Sequence, residues 1–159
     1  MITEHAMECF IKKADKYLIL HRAKHKKIMP GVAMAPGGRV EVNENLYQAT
    51  IREISEETGL TIKNIKLKAI GNIINYELDT RLIITLLTAD YESGQNQEHI
   101  DKEGEFIWLK QNEIESLPNL LAELHKVLPH VLADTNQIIS YYAEYSQGNT
   151  MTVFKSQLI

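Results

Sequence analysis

GRVEVNENLYQATIREISEETGL, running from Gly38 to Leu60, is the stretch whose reading decides the fold of this chain. It holds five acidic residues, two arginines and two bracketing glycines. The spacing predicts a helix over Asn45 to Thr58. Tyr47, Ile51, Ile54 and Thr58 recur at i, i+4, i+7 and i+11 and share one mostly apolar face that should pack on a core. Glu53, Glu56 and Glu57 fall at i, i+3 and i+4 and share another face, roughly opposite. Asn43 or Asn45 offers an N-cap. Gly59 supplies the left-handed C-cap. Pro36-Gly37-Gly38 makes a tight loop whose backbone can approach a ligand closely.

Three carboxylates on adjacent turns repel one another, by a few tenths of a kcal/mol per pair on an isolated helix. A hard divalent cation seated among them would remove that repulsion, and Mg²⁺ characteristically binds through a few carboxylates, waters and substrate phosphates. Arg52 lies four residues before Glu56 and can hold that carboxylate in place. Clustered cations neutralise a pyrophosphate and lower the pKa of bound water, so the residue types alone point to phosphate chemistry. Charged helix faces are commonly just solvated. Here seven fixed residues and two aliphatic positions coincide, which chance would produce in such a chain with a probability on the order of 10⁻⁷.

The stretch resembles the Nudix box, G-x5-E-x7-R-E-U-x-E-E-x-G-U with U aliphatic. Gly38, Glu44, Arg52, Glu53, Ile54, Glu56, Glu57, Gly59 and Leu60 match it throughout. Looser likeness runs from Met7 to Glu115, through Leu20-His21-Arg22, Pro36-Gly37-Gly38 and Glu105-Phe106-Ile107-Trp108; the chain beyond Pro118 is not covered. The resemblance implies an α/β fold, a single-domain α/β/α sandwich on a mixed sheet spanning residues 1–159. It implies a Mg²⁺-dependent pyrophosphohydrolase, with Mn²⁺ able to substitute. By motif position Glu53, Glu56 and Glu57 would bind metal, and one of them would also deprotonate water. The Gly38 carbonyl would complete the metal shell, Arg52 would orient Glu56, and Glu44 would support the site. A further acid would come from Glu98, Asp101, Glu103 or Glu105.

Composition bounds the rest. At 159 residues with 44% hydrophobic and 24% charged content, the chain suits one soluble domain. A net charge of −4 argues against stable nucleic-acid binding. The lone cysteine, Cys9, permits no internal disulfide and reads as inert packing, so a reducing cytoplasm is the expected compartment. No apolar run approaches the ~18 residues of a membrane span, and Met1 to His5 carries no signal-peptide pattern.

Along the chain, Ala6 to Lys13 and Tyr17 to Arg22 read as strands, followed by a basic loop over Ala23 to Met29 and a short strand over Val32 to Met34. Thr61 to Leu78 is strand-rich with Gly71 interrupting, and Arg81 to Tyr91 reads as a central strand. Glu92 to Gly104 reads as a polar loop, Glu105 to Lys110 as a strand, and Gln111 to Ser116 as a short helix. Asn119 to Leu128 reads as an amphipathic helix. Ile138 to Tyr145 and Thr150 to Lys155 read as strands, the first also compatible with helix. Arg22, at the end of its strand, and Arg39, beside Gly38, are candidate phosphate contacts within a basic region that otherwise reads as a solvated loop. Trp108 reads as core. Tyr141, Tyr142 and Tyr145 suit either the core or a dimer surface, and the chain a monomer or homodimer.

Three functions follow. The favoured one is a MutT-like nucleoside triphosphate diphosphatase, which for this kind of enzyme includes 8-oxo-dGTP as a substrate. Gly31 is followed by Val32-Ala33-Met34-Ala35 where many such proteins carry a tryptophan, so the base pocket should differ. The alternative is another small-molecule nucleotide: ADP-ribose, a nucleotide sugar, a dinucleoside polyphosphate or a capped RNA end. ADP-ribose enzymes often carry a longer N-terminal dimerisation region than this one. A non-catalytic nucleotide sensor is the third, against which the intact box argues.

Overall fold

A computed structural model describes residues 1–27, 29–95 and 104–159. In chain order its elements are β1 (Ile2–Lys13), β2 (Lys16–Arg22), β3 (Ala33–Met34), β4 (Gly37–Arg39), α1 (Leu46–Thr58), β5 (Thr61–Asn75), β6 (Thr80–Ser93) and β7 (Gly104–Lys110). They continue with α2 (Gln111–Glu115), α3 (Ala122–Val131), β8 (Ile139–Ser146) and β9 (Thr150–Leu158). The strands form one mixed sheet in the order β3-β2-β1-β6-β5-β8-β9. β1 runs parallel to β6, and β5 parallel to β8; the other neighbours are antiparallel. β6 is central, as its apolar run predicts.

The edge of β1 facing away from β6 has two occupants. β2 pairs with it only near the hairpin, at Lys12↔Tyr17 and Lys13↔Lys16. β4 takes the middle, at Ala6↔Arg39, Met7↔Gly38 and Glu8↔Gly37. β2 therefore turns away and pairs along its whole length with β7. This branching delivers the Gly37-Gly38 turn to the middle of β1.

Side chains alternate along β1 and feed two cores. Met7, Cys9 and Ile11 join Leu18, Ile54 of α1 and Leu87 on one face. Phe10 joins Ile19, Ile84, Leu86 and the α3 residues Leu124, Val127 and Leu128 on the other. The sheet is thus covered by α1 on one side and α3 on the other, the layered sandwich expected. Cys9 is fully buried, and burial pushes its thiol well up. No helix among the described residues is long and apolar enough to cross a membrane.

Helix α1 begins and ends as its sequence dictates. Asn45 and Gln48 form a reciprocal capping box, and Gly59 closes the helix at φ 71° with its N–H on the Ser55 carbonyl. The buried face differs from the expected one. Tyr47 is 63% exposed, while Ala49, Thr50, Ile54 and Thr58 are buried. Thr50 and Thr58 can occupy that face because their hydroxyls donate to the Leu46 and Ile54 carbonyls.

Two further expectations are corrected. α3 starts at Ala122, not Asn119. The Asn119 carbonyl accepts from Ala33 N–H and Leu121 N–H donates to the Ala33 carbonyl, so this segment extends the edge of β3 instead. Gly71 does not interrupt β5; it lies under the ring of buried Tyr141, where a Cβ would strike the phenol. Gly71→Ala should therefore destabilise the protein by about 1–3 kcal/mol through displacement of that ring. Urea denaturation of the two proteins measures it directly, and an unchanged midpoint would remove this account of the glycine.

Candidate active site

The box residues converge on one cation, the Arg52 guanidinium. Its Nε donates to Glu44 Oε2 at 3.0 Å and its Nη2 to Glu44 Oε1 at 2.5 Å. Nη1 donates to Glu53 Oε1 at 2.8 Å and to Glu56 Oε2 at 3.2 Å, and Nη2 also reaches the Arg39 carbonyl at 3.1 Å. Five bonds match the five N–H donors of an arginine. Glu44 in turn caps its own turn, accepting from Glu41 N–H at 2.9 Å. The Arg52 fork holds the Glu44 carboxyl down to about 2, so Glu44 stays ionised at any ordinary pH.

Glu53 and Glu57 face consecutive residues of the glycine turn. The Glu53 carboxyl lies against Gly38, where a Cβ would run into it. Glu57 Oε2 accepts from Gly37 N–H at 3.1 Å. Gly37 cannot carry a side chain either, since its Cβ would meet the Met7 carbonyl. Glu56 is 62% exposed along its side chain and is steadied by Arg52. The expected Arg52–Glu56 pair is thus present, but the stronger bonds of Arg52 go to Glu44 and Glu53.

The donor set is all oxygen. Among the described residues no group of three or more His, Cys, Asp or Glu side chains encloses a cation site. Oxygen donors suit a hard divalent cation, which completes its shell with water and phosphate oxygens. Glu53 and Glu57, four residues apart beside the Gly38 backbone, fit such a cation.

The other candidates are distributed unevenly. Arg22 lines a cavity on the α3 side of the sheet, whereas Arg39 pairs with Glu4 at 3.0 Å. Glu98, Asp101 and Glu103 lie outside the described residues. Glu105 is exposed on β7, in register with His21. Trp108 packs edge-on to Tyr91 against the α1-side core. Tyr141 and Tyr145 are core residues, and Tyr142 donates to Glu144.

Two carboxyl groups escaped the sequence reading. Glu8 on β1 is 5% exposed and Glu123 on α3 is 6% exposed, and both line a cavity of about 240 Å³. Desolvation, with the nearby Glu123 charge, pushes Glu8 up to about 8. Burial also raises Glu123, whose carboxylate accepts from the Tyr145 hydroxyl. A signal was present: Glu8 interrupts the apolar run Met7, Cys9, Phe10, Ile11, and Glu123 stands three residues after Leu120 and four before Val127, on the apolar face of its helix.

The family model for the NUDIX domain matches residues 5–132. The uncharacterised Nudix hydrolase YvcI of Bacillus subtilis is 31% identical over 118 residues, 72% of this chain and 71% of that protein. An ADP-ribose pyrophosphatase of Methanocaldococcus jannaschii is 29% identical, over 77% of this chain and 69% of its own length. The NAD-capped RNA hydrolase NudC of Photobacterium profundum is 30% identical over 67% of this chain, which spans only 38% of that protein. The crystal structure of a MutT protein from Bacillus halodurans superposes with a TM-score of 0.85 at 24% identity, covering 97% of each chain. The chain belongs to the Nudix family, and it is a hydrolase of phosphoric anhydride bonds. Nudix hydrolases need a divalent metal, which the oxygen donors above suit.

The buried acids make stability depend on pH in an unusual direction. An unfolded chain releases the Glu8 proton near 4.5, while the folded one keeps it up to about 8. Folding therefore takes up a proton in this window, so stability is full below pH 4.5 and falls as pH rises towards 8. Glu123 acts with the same sign. Glu8→Gln should remove a loss on the order of a few kcal/mol between pH 5 and 8. Thermal unfolding across that range should show a falling Tm for the wild type and a flatter profile for the variant.

Proposed function

We propose that this protein is a Mg²⁺-dependent nucleoside triphosphate diphosphatase of the MutT type, releasing a nucleoside monophosphate and pyrophosphate. The observation that carries this reading is the Arg52-centred fan of Glu44, Glu53 and Glu56 facing the Gly37-Gly38 turn, to which Glu57 is also tied. A cation held by Glu53, Glu56, Glu57 and the Gly38 carbonyl would neutralise the pyrophosphate and acidify water. Arg52 fixes the carboxylates it touches, and Glu44 fixes Arg52. A carboxylate of the same helix face accepts the proton of the attacking water. Arg22 and Arg39 are the candidate phosphate contacts; Arg22 lines the cavity and Arg39 pairs with Glu4.

A second reading keeps the chemistry and changes the substrate to ADP-ribose or another nucleoside diphosphate conjugate. It is supported by the likeness to the archaeal ADP-ribose pyrophosphatase and to the NAD-capped RNA hydrolase NudC. Product analysis on dNTPs, 8-oxo-dGTP, ADP-ribose, nucleotide sugars and diadenosine polyphosphates, with Mg²⁺, Mn²⁺ or EDTA, separates the two. Pyrophosphate from one triphosphate supports the first; turnover confined to a conjugate moves the assignment to the second. Glu53→Ala and Glu57→Ala should each lower turnover about 100-fold with the circular dichroism spectrum unchanged. Near-full activity in both would remove the metal assignment.

A further inference from the structure

The far end of β1 carries an arrangement that folding alone disfavours. Lys13 opposes Lys16 across the β1–β2 hairpin, and Lys16 opposes Lys110 on β7. Opposed residues project from the same face of a sheet, so three lysines stand in one row on neighbouring strands. Like charges placed directly opposite one another destabilise a sheet. Among the described residues one ion pair offsets the row, between Lys110 and Asp15 at 3.5 Å. Asp90 is no second partner: it alternates with Ala89 and Tyr91 onto the other face, where it accepts from the Asn64 amide.

Aromatic rings lie among these cations. Lys13 Nζ is 4.2 Å from the centre of the Tyr91 ring and 5.8 Å from that of Trp108. The ring faces attract the ammonium and hold it beside them. Trp108 stands two residues before Lys110 and so shares its face. Tyr91 braces the indole edge-on at 6.4 Å, and its own hydroxyl donates to the Gly94 carbonyl. Trp108, Lys13, Lys16 and Asp15 border an open depression of about 380 Å³, room enough for a nucleoside-sized group.

This patch is separate from the acidic face. Glu57 is tied to Gly37, the register partner of Glu8. Lys13 lies five residues further along β1, about 17 Å of extended strand. A pyrophosphate held by the box is therefore not what these lysines meet. Their spacing suits successive phosphates of one strand, and a half-buried indole between them suits a base, which an acidic peptide lacks. The chain as a whole carries a net charge of −4, which conceals this local excess and makes attraction to it steeply dependent on salt.

We propose that the Lys13, Lys16 and Lys110 row and Trp108 form a docking site for single-stranded nucleic acid, in which the lysines hold phosphates and the indole stacks on a base. The site stands whether or not the nucleotide substrate assigned above is correct, because it does not include the box.

The test is fluorescence anisotropy with a labelled twelve-residue oligothymidylate in EDTA, so that binding is read without metal or turnover. Three lysine–phosphate contacts should give a slope of log Kd against log salt of about 2 between about 50 and 200 mM KCl. The exposed pair Lys13→Gln/Lys16→Gln should weaken binding about ten-fold at the lower salt and bring the slope down to about 0.7. Lys126→Gln/Lys155→Gln removes the same charge from exposed positions on α3 and β9 and should change Kd by less than about two-fold. An abasic strand of equal length should bind the wild type about ten-fold more weakly, a comparison that needs no variant to fold. No binding at the lower salt, an unchanged Kd in the Lys13/Lys16 variant, or an abasic strand bound as tightly as its parent overturns the site. So does equal affinity for an oligoglutamate of the same charge, which would give this face to an acidic polypeptide instead.

Discussion

The pairing of β1 with β4 is the constraint from which the site follows. Met7 opposes Gly38 and Glu8 opposes Gly37. A strand sends neighbouring side chains to opposite faces, so Met7 enters the α1-side core and Glu8 turns towards α3. Both glycines are forced by contact: one meets the Met7 backbone, the other the Glu53 carboxyl. One short pairing thus fixes the distance between the acidic helix face and the cavity. Neither could shift without breaking hydrogen bonds of the sheet.

The two sides of this contact solve opposite electrostatic problems. On the α1 side the guanidinium of Arg52 holds Glu44, Glu53 and Glu56 with four of its five donors and the Arg39 carbonyl with the fifth, and Glu44 stays ionised. Individual exposed ion pairs are worth only about 0–1 kcal/mol, so the gain here is in geometry more than in stability. A lysine could not reproduce it, since an ammonium has three donors and no planar fork. On the α3 side desolvation wins, and Glu8 and Glu123 resist ionisation. The same residue type is charged at one end of the glycine turn and held towards its neutral form at the other.

How much of this was legible depends on the range of the cause. The caps of α1, the acidic face and the central β6 follow from local spacing and appear where expected. The inner face of α1 was misjudged at Tyr47 because its buried contacts are made by Ala49 and two threonines, which carry little hydrophobic signal. The start of α3 was misjudged because Asn119 and Leu121 bond to Ala33, more than eighty residues earlier. Glu8 was missed for the same reason: no neighbour in sequence reveals that α3 covers it. The Arg52 fan was half visible. Its i+4 partner was foreseen, while the closer partner Glu44 sits across a turn.

The C-terminal hairpin gives the fold a temporal order. β8 lies parallel to β5, with Ile139 beside Ala69 some seventy residues upstream, and it carries Tyr145, the partner of Glu123. On a ribosome the acidic helix is complete long before that strand emerges, and chains tend to fold from the N-terminal end as they are made. Closing such a long loop is entropically slow. The nascent chain therefore passes through a stage with its acidic helix formed and the β5 edge of the sheet still unpaired. β8 and β9 then act as a clasp on that edge.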